Sequence, residues 1–480
     1  MKFSLMRLRF LAIIFFVMMY ALFFIYKITM YSLFYYQHDM FSVISSGCGW
    51  IYGHPLWWDN RYGVTPAIHF SFIAPLLSPF IILMGGKGLF LVHALIYFMA
   101  FYWALQGSSD QNILKKRIAV VFVFFISPYA LWLFDDPFFG WHIELLFLPF
   151  SVFFVLALIS KKSWLAVVCA LPLVFTKEDG CVIACCIHLL YALSENTQQQ
   201  IKWKQLFKIT SAWLVVFIIC LFIIKFFNDF KPTRVETTFN EFYHDESLFN
   251  AAYFRKIIWQ ILVMLLPLFL ISFFILNNNN FFKLILFIIP VLIIGIISGL
   301  WYSGNAYFSV SWVPRFVEIM GLMLAGIFIF LNKQLYIESF KKKIPTQILV
   351  ITVIMLQVIS LNMARDYKLL TEIRKAYANT LYSTVTPADA GIIRCIAART
   401  PNHFNVAVPF EYFSLFDKND LTWFDHPENA PQKNPDLVIL EDTSKFGEYK
   451  FDYGDYQSEK KGKFYILVKK DRLLLDNHCN

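Results

Sequence analysis

Three adjacent charges, Lys177, Glu178 and Asp179, stand between two apolar runs in the stretch LVFTKEDGCVIACCIHLL. An ammonium beside two carboxylates can hold a phosphate or pair with an acid, while the acids orient a partner or bind a cation. The plainer alternative is an interfacial anchor, since lysine snorkels and a helix end tolerates charge. Three charges at one tight turn exceed what anchoring requires.

Other polar residues could work with them. Asp39, in YYQHDMFSVISSGCGW, lies a few residues beyond the first apolar run and is placed to act as a base near a lipid-borne substrate, or to solvate a helix end. The loop FDDPFFGWHIELLF adds Asp135, Asp136, His142 and Glu144. His142 and Glu144 are two apart, so a helix would point them in different directions and only an extended turn would bring them together. Imidazole and carboxylate suit a divalent cation, but this spacing is unspecific. Arg234 in KPTRVE and Arg315 in SWVPRFVE have the guanidinium geometry for clamping a phosphate, and each also has a neighbouring glutamate to pair with. Cys181, Cys185 and His188 share one helical face, where packing between helices is favoured over a soft metal.

The elements that must position these groups are membrane helices. Of 480 residues, 58% are hydrophobic and 16% charged, mean hydropathy is +0.56, and Phe10 to Tyr26 contains no charge. The basic start and apolar core of the first run also fit a signal peptide, but no small-residue cleavage site follows, so it reads as a retained helix. Apolar runs place crossings near 10–30, 89–106, 118–134, 145–160, 163–176, 181–194, 209–227, 256–276, 282–300, 313–331 and 346–362.

A further apolar stretch, 66–84, carries Pro66, Pro75 and Pro79. If it does not span, the inner segments hold 16 Lys and Arg in 58 residues, against 7 in 115 for the outer segments before the tail. If it spans, either the basic N-terminus or every later basic loop faces the wrong way. The expectation is therefore 11 crossings, N-terminus cytoplasmic, C-terminus extracytoplasmic, and 66–84 lying along the outer surface or re-entering. Twelve acidic residues fall in those outer segments and three in the inner ones, which directs attention to the outer face.

Two domains are expected: a transmembrane part over 1–362 and a small extracytoplasmic α/β domain over 363–480. In the latter NVAVP (405–409), DLVIL (436–440) and KFYILVKK (463–470) read as strands and PADAGIIRCIAAR as a helix. The NNNN run at 277–280 reads as a polar turn, and no internal repeat is visible. The net charge of +9 matters less than where the charges lie, and no nucleic-acid partner is expected. Eight cysteines without CxxC pairs argue against a disulfide framework; five lie in apolar segments, leaving Cys48, Cys395 and Cys479 in polar ones.

The order of these features resembles the membrane family known as domain of unknown function 2079, itself similar to the GT-C glycosyltransferases. That family has a Phe-Asp-x-Gly motif after the first helix, a later Asp-His-Phe-Ser-Pro motif, a His-Pro-Glu loop, a Lys-Glu-Asp triplet and a small extracytoplasmic tail. The corresponding stretches here are His38-Asp39-Met40-Phe41, Ile68-His69-Phe70-Ser71-Phe72, His142-Ile143-Glu144 and Lys177-Glu178-Asp179. The triplet is intact; the first motif lacks its Phe and Gly, the second its Asp and Pro, the third its Pro.

The resemblance implies a GT-C-like, all-α polytopic fold with in-plane segments in the first outer loop. It implies transfer of a sugar from a polyprenyl-phosphate-linked donor to a glycan, lipid or protein acceptor at the extracytoplasmic face. Asp39 would be the base of an inverting transfer, and Lys177, with Arg234 or Arg315, would stabilise the departing lipid phosphate. His69, His142, Glu144, Glu178 and Asp179 would position substrate or a divalent cation, and the resemblance requires no cofactor beyond that optional ion. Two readings compete. A transporter or flippase would use ionisable groups within helices, for which Lys225, His93, His188 and Glu318 are the candidates. A non-catalytic scaffold would leave the outer acids scattered.

Overall fold

The computed structural model describes residues 2–32, 34, 36, 39–59, 63–64, 71–106, 110–133, 135, 140–195, 203–227, 251–301, 313–333, 345–365, 385–416, 418–422, 435–441 and 453–472. The chain opens with α1 (Lys2–Ser32), followed by α2 (Asp39–Cys48), a hairpin of β1 (Trp58–Asp59) and β2 (Gly63–Val64), and α3 (Ser78–Met84). Then come α4 (Lys87–Gln106), α5 (Gln111–Phe125), α6 (Pro128–Trp132), α7 (Phe147–Ile159), α8 (Ser163–Thr176), α9 (Gly180–Glu195) and α10 (Trp203–Phe227). The helical part ends with α11 (Ala251–Ile275), α12 (Asn278–Trp301), α13 (Val313–Lys333) and α14 (Thr346–Arg365).

Each expected crossing falls mainly on helix within the described residues. Among the described residues, Leu5–Ser32, Lys87–Gln106, Trp203–Phe227 and Ile258–Ile275 are long and apolar enough to cross a membrane, and further apolar helices are shorter. One expected run, 118–134, is broken in two. Pro128 cannot donate to a helix and biases the residue before it away from helical dihedrals, so Ser127 turns extended and accepts a hydrogen bond from the Ala130 amide to start α6.

The 66–84 stretch is described from residue 71 onward. It forms a 3-10 turn over Ala74–Leu77 and then the seven-residue α3, which rises only ~10 Å. Together Ala74–Met84 form an apolar helical stretch shorter than the four long enough to cross a membrane. The turn expected at 277–280 is confined to Asn277, whose side chain accepts the Asn280 amide at 2.8 Å, and Asn278–Asn280 already form the first turn of α12.

The core is centred on α7, whose residues are apolar on all sides and almost all buried. It packs against α4, α8, α9 and α13, while α10 keeps most of its surface open. Gly321 of α13 lets that helix approach α7: a Cβ there would lie 2.7 Å from Ser151 Oγ.

The C-terminal part is a small α/β unit. Helix α15 (Pro387–Arg399), where expected, starts with a capping box between Thr386 and Asp389. The five-stranded mixed sheet runs β4 (Asp420–Thr422), β3 (Asn405–Ala407), β5 (Leu437–Leu440), β7 (Phe464–Lys469), β6 (Tyr456–Lys461), with β3 parallel to β4 and β5 and the other pairs antiparallel. The three strands expected from apolar runs are β3, β5 and β7. Strand β6 (YQSEKK) has four exposed residues in its middle and no apolar alternation, so it shows itself only through its pairing with β7.

The cysteine expectation needs one correction. Cys48, Cys169, Cys181, Cys185, Cys186 and Cys220 are free, but Cys395 on α15 is disulfide-bonded. None of those six is its partner. Sequence spacing gives no sign of that bond, because no CxxC pair includes Cys395.

Candidate functional site

Helix α8 ends at Thr176, and Lys177 at its cap is fully extended (φ −169, ψ 159), which turns its side chain away from the helix axis. The triplet closes on itself, with the Gly180 amide donating to the Lys177 carbonyl at 2.9 Å and the Cys181 amide to the Glu178 carbonyl at 3.2 Å. Gly180 is required here for closeness: a Cβ would come within 1.9 Å of the Leu173 carbonyl oxygen across the α8–α9 contact.

His142 is extended (φ −136, ψ 142) and precedes a 3-10 turn over Ile143–Leu146. This backbone, with no helix at residue 142, brings the imidazole and the Glu144 carboxylate together: His142 Nδ1 contacts Glu144 Oε2. The other oxygen, Oε1, accepts from Lys177 Nζ at 3.0 Å, and Lys177 Nζ is also 3.8 Å from Asp179 Oδ2. Glu144 thus bridges a histidine and a lysine, and the lysine bridges two acids. The 3-10 turn is held from below by Tyr97 of α4, whose hydroxyl donates to the Leu145 carbonyl at 2.8 Å.

Lys177 and Glu144 are buried, Asp179 and His142 partly so. Burial pushes the Glu144 carboxyl up, but the facing charges of His142 and then Lys177 outweigh it and hold it well below its ordinary value. Glu178 is buried on the same turn.

A second buried charge cluster lies beside the first. Lys27, near the end of α1, donates to Asp135 Oδ1 at 2.5 Å and to the Gly140 carbonyl at 3.0 Å. Tyr36 donates to the same Asp135 oxygen at 2.6 Å and Tyr26 to the other at 2.5 Å. The Lys27 ammonium also lies 4.7 Å from the Tyr36 ring centroid. Gly140, at φ 61, takes the left-handed conformation and carries no side chain to meet the Tyr36 ring. From Gly140 to Glu144 is four residue steps, so at most about 14 Å of chain joins the two clusters.

In the sequence Asp135 stands out in an acidic loop, whereas Lys27 lies inside the apolar run 10–30. The signal was there, since Lys27 is the single Lys or Arg between Arg9 and Arg61, and an ionisable group inside an apolar helix calls for a partner.

Of the other expected residues, Asp39 is the first residue of α2, with its side chain outside the described atoms. Arg315 lies in the first turn of α13, again with its side chain undescribed. His69, Asp136 and Arg234 fall outside the described residues. On α9, His188 Nδ1 accepts from Trp213 Nε1 at 3.4 Å, and the Cys181 and Cys220 sulfurs are 3.8 Å apart, the interhelical packing expected of that stripe. Buried His93 is ringed by Tyr20, Phe23 and Tyr97 on the α1–α4 contact.

Among the described residues no three His, Cys, Asp or Glu side chains gather as a metal-binding group. Between Glu144 and Asp179 the cation is the Lys177 ammonium itself, which a divalent ion would have to displace. No family model and no curated protein matches the chain.

Proposed function

We propose that this is a polytopic membrane glycosyltransferase of GT-C type, with 11 crossings over 1–362 and an extracytoplasmic α/β domain over 363–480. It takes a sugar from a polyprenyl-phosphate-linked donor at the extracytoplasmic face and passes it to a glycan, lipid or protein acceptor. The N-terminus is cytoplasmic and the C-terminus extracytoplasmic. The Lys and Arg distribution supports that orientation, and so does the Cys395 disulfide, since such bonds persist in oxidising compartments.

The observation that carries the reading is the bridge at Glu144. A single buried carboxylate orients both His142 and Lys177 where two polar loops meet at the ends of apolar helices. Such a lysine is oriented before substrate arrives, as stabilising a leaving phosphate requires. In the proposed mechanism Lys177 meets the donor phosphate, with Arg234 or Arg315 beside it. Asp39 takes the acceptor proton, while His142, Glu144, Glu178, Asp179 and His69 position the substrate.

The test is sugar transfer in proteoliposomes loaded with polyprenyl-phosphate sugars. Lys177→Ala and Asp39→Asn should each lower turnover by about 10²-fold or more. Unchanged transfer in both variants rejects the mechanism. Movement of the lipid-linked sugar across the bilayer without any transfer favours the flippase instead.

A further inference from the structure

We propose that the C-terminal α/β unit is a positioning clamp for the candidate site, acting through the segment that follows α1. Phe34 is central to it. This residue sits at φ 57, a left-handed conformation costly for a bulky L-residue, and it is buried. The C-terminal unit holds it from two sides. The Tyr412 ring meets it edge-on at 5.2 Å, and the Arg394 guanidinium lies 5.0 Å from its ring centroid. Arg394 also donates to the Ser32 carbonyl at 2.6 Å, 362 positions away in sequence. The turn at Phe410–Leu415 rests in addition on α2, the helix that Asp39 opens.

The clamped segment leads directly to the charge clusters. Two residues beyond Phe34, Tyr36 donates to Asp135 and its ring covers Gly140, whose carbonyl accepts from Lys27. Gly140 begins the short stretch that carries His142 and Glu144. The C-terminal unit therefore touches the chain on both sides of Tyr36, and Tyr36 touches the loop that sets the Glu144 bridge. Arg394, Phe34 and Tyr412 are positioning residues, acting through Tyr36 and the stretch from Gly140 to Glu144. Tyr412 is itself fixed by its hydroxyl contact with Glu441, which also pairs with Lys463 at 2.6 Å.

The inference rests on the location of the site but not on the reaction, and its test needs no substrate. Hydrogen exchange is followed on the full chain in nanodiscs for Arg394→Ala and Phe34→Gly. Exchange over 140–146 is expected to rise by about tenfold in both, with 437–440 and 464–469 unchanged. Faster exchange confined to 32–36, with 140–146 as in the wild type, overturns the proposal. Should Arg394→Ala lose protection in the strands, Arg394→Lys is read in its place, and unchanged exchange over 140–146 in that variant overturns it equally. Lost sugar transfer with unchanged exchange would leave the functional reading standing and remove the clamp.

Discussion

The ammonium of Lys27 lies 2.5 Å from the carboxylate of Asp135, and both side chains are almost wholly buried. Two tyrosine hydroxyls donate to Asp135 and the Gly140 carbonyl accepts from Lys27, so both charges are hydrogen-bonded at the end of an apolar helix. Removing one partner strands the other. Lys27→Met is expected to cost about 3–5 kcal/mol, read as a lowered unfolding midpoint in detergent. Lys27→Met combined with Asp135→Leu should recover part of that loss, and a double variant no better than the single one would argue against a direct pair.

Glu144 makes acid stability readable. Its carboxyl is held below its ordinary value of 4.5, so its contribution is fully present above that pH and is lost as pH falls through the depressed value. Wild-type melting should therefore hold between pH 7 and 5 as far as this group is concerned, and decline below about 4.5. In Glu144→Gln the midpoint drops at neutral pH and the acid decline becomes shallower. An equally steep decline in the variant would assign the acid sensitivity to other carboxylates.

Gly180→Ala tests the turn that presents the triplet. The new Cβ would meet the Leu173 carbonyl oxygen at 1.9 Å, and backbone cannot yield as a side-chain tip can. A loss of about 1–3 kcal/mol or more is expected, with α8 and α9 forced apart. Wild-type thermal stability in this variant would contradict the close crossing.

Thiol labelling separates the cysteines. Under denaturing, non-reducing conditions Cys48, Cys169, Cys181, Cys185, Cys186 and Cys220 should react, and Cys395 only after reduction. Labelling of Cys395 without reduction would remove the disulfide and with it one support for an extracytoplasmic C-terminus.

A reporter-fusion map tests the orientation. Fusions at the Gly85-Gly86 turn should report the outer compartment and fusions at 107–110 the cytoplasm. The reverse pattern would overturn the assignment of every loop.

Much of the helical architecture was readable from apolar runs, because a segment that is apolar on every side needs no partner to declare it a membrane or core helix. The break at Ser127-Pro128 was readable in principle from proline chemistry, yet an apolar window averages over it. Strand β6 was not, because a polar edge strand draws its structure from the neighbour it pairs with.

The site divides in the same way. Lys177, Glu178, Asp179, His142 and Glu144 were nameable from residue type and position, since charges at the ends of apolar runs are few and conspicuous. Sequence alone also set the count of apolar segments and the sidedness argument, which depend only on composition along the chain. Tertiary structure alone decided that Glu144 bridges His142 and Lys177 and that Lys27 meets Asp135. It alone decided that Arg394 reaches back to Ser32. Such pairings depend on which helix ends pack together, and their partners lie 33, 108 and 362 positions apart, beyond the reach of any local pattern.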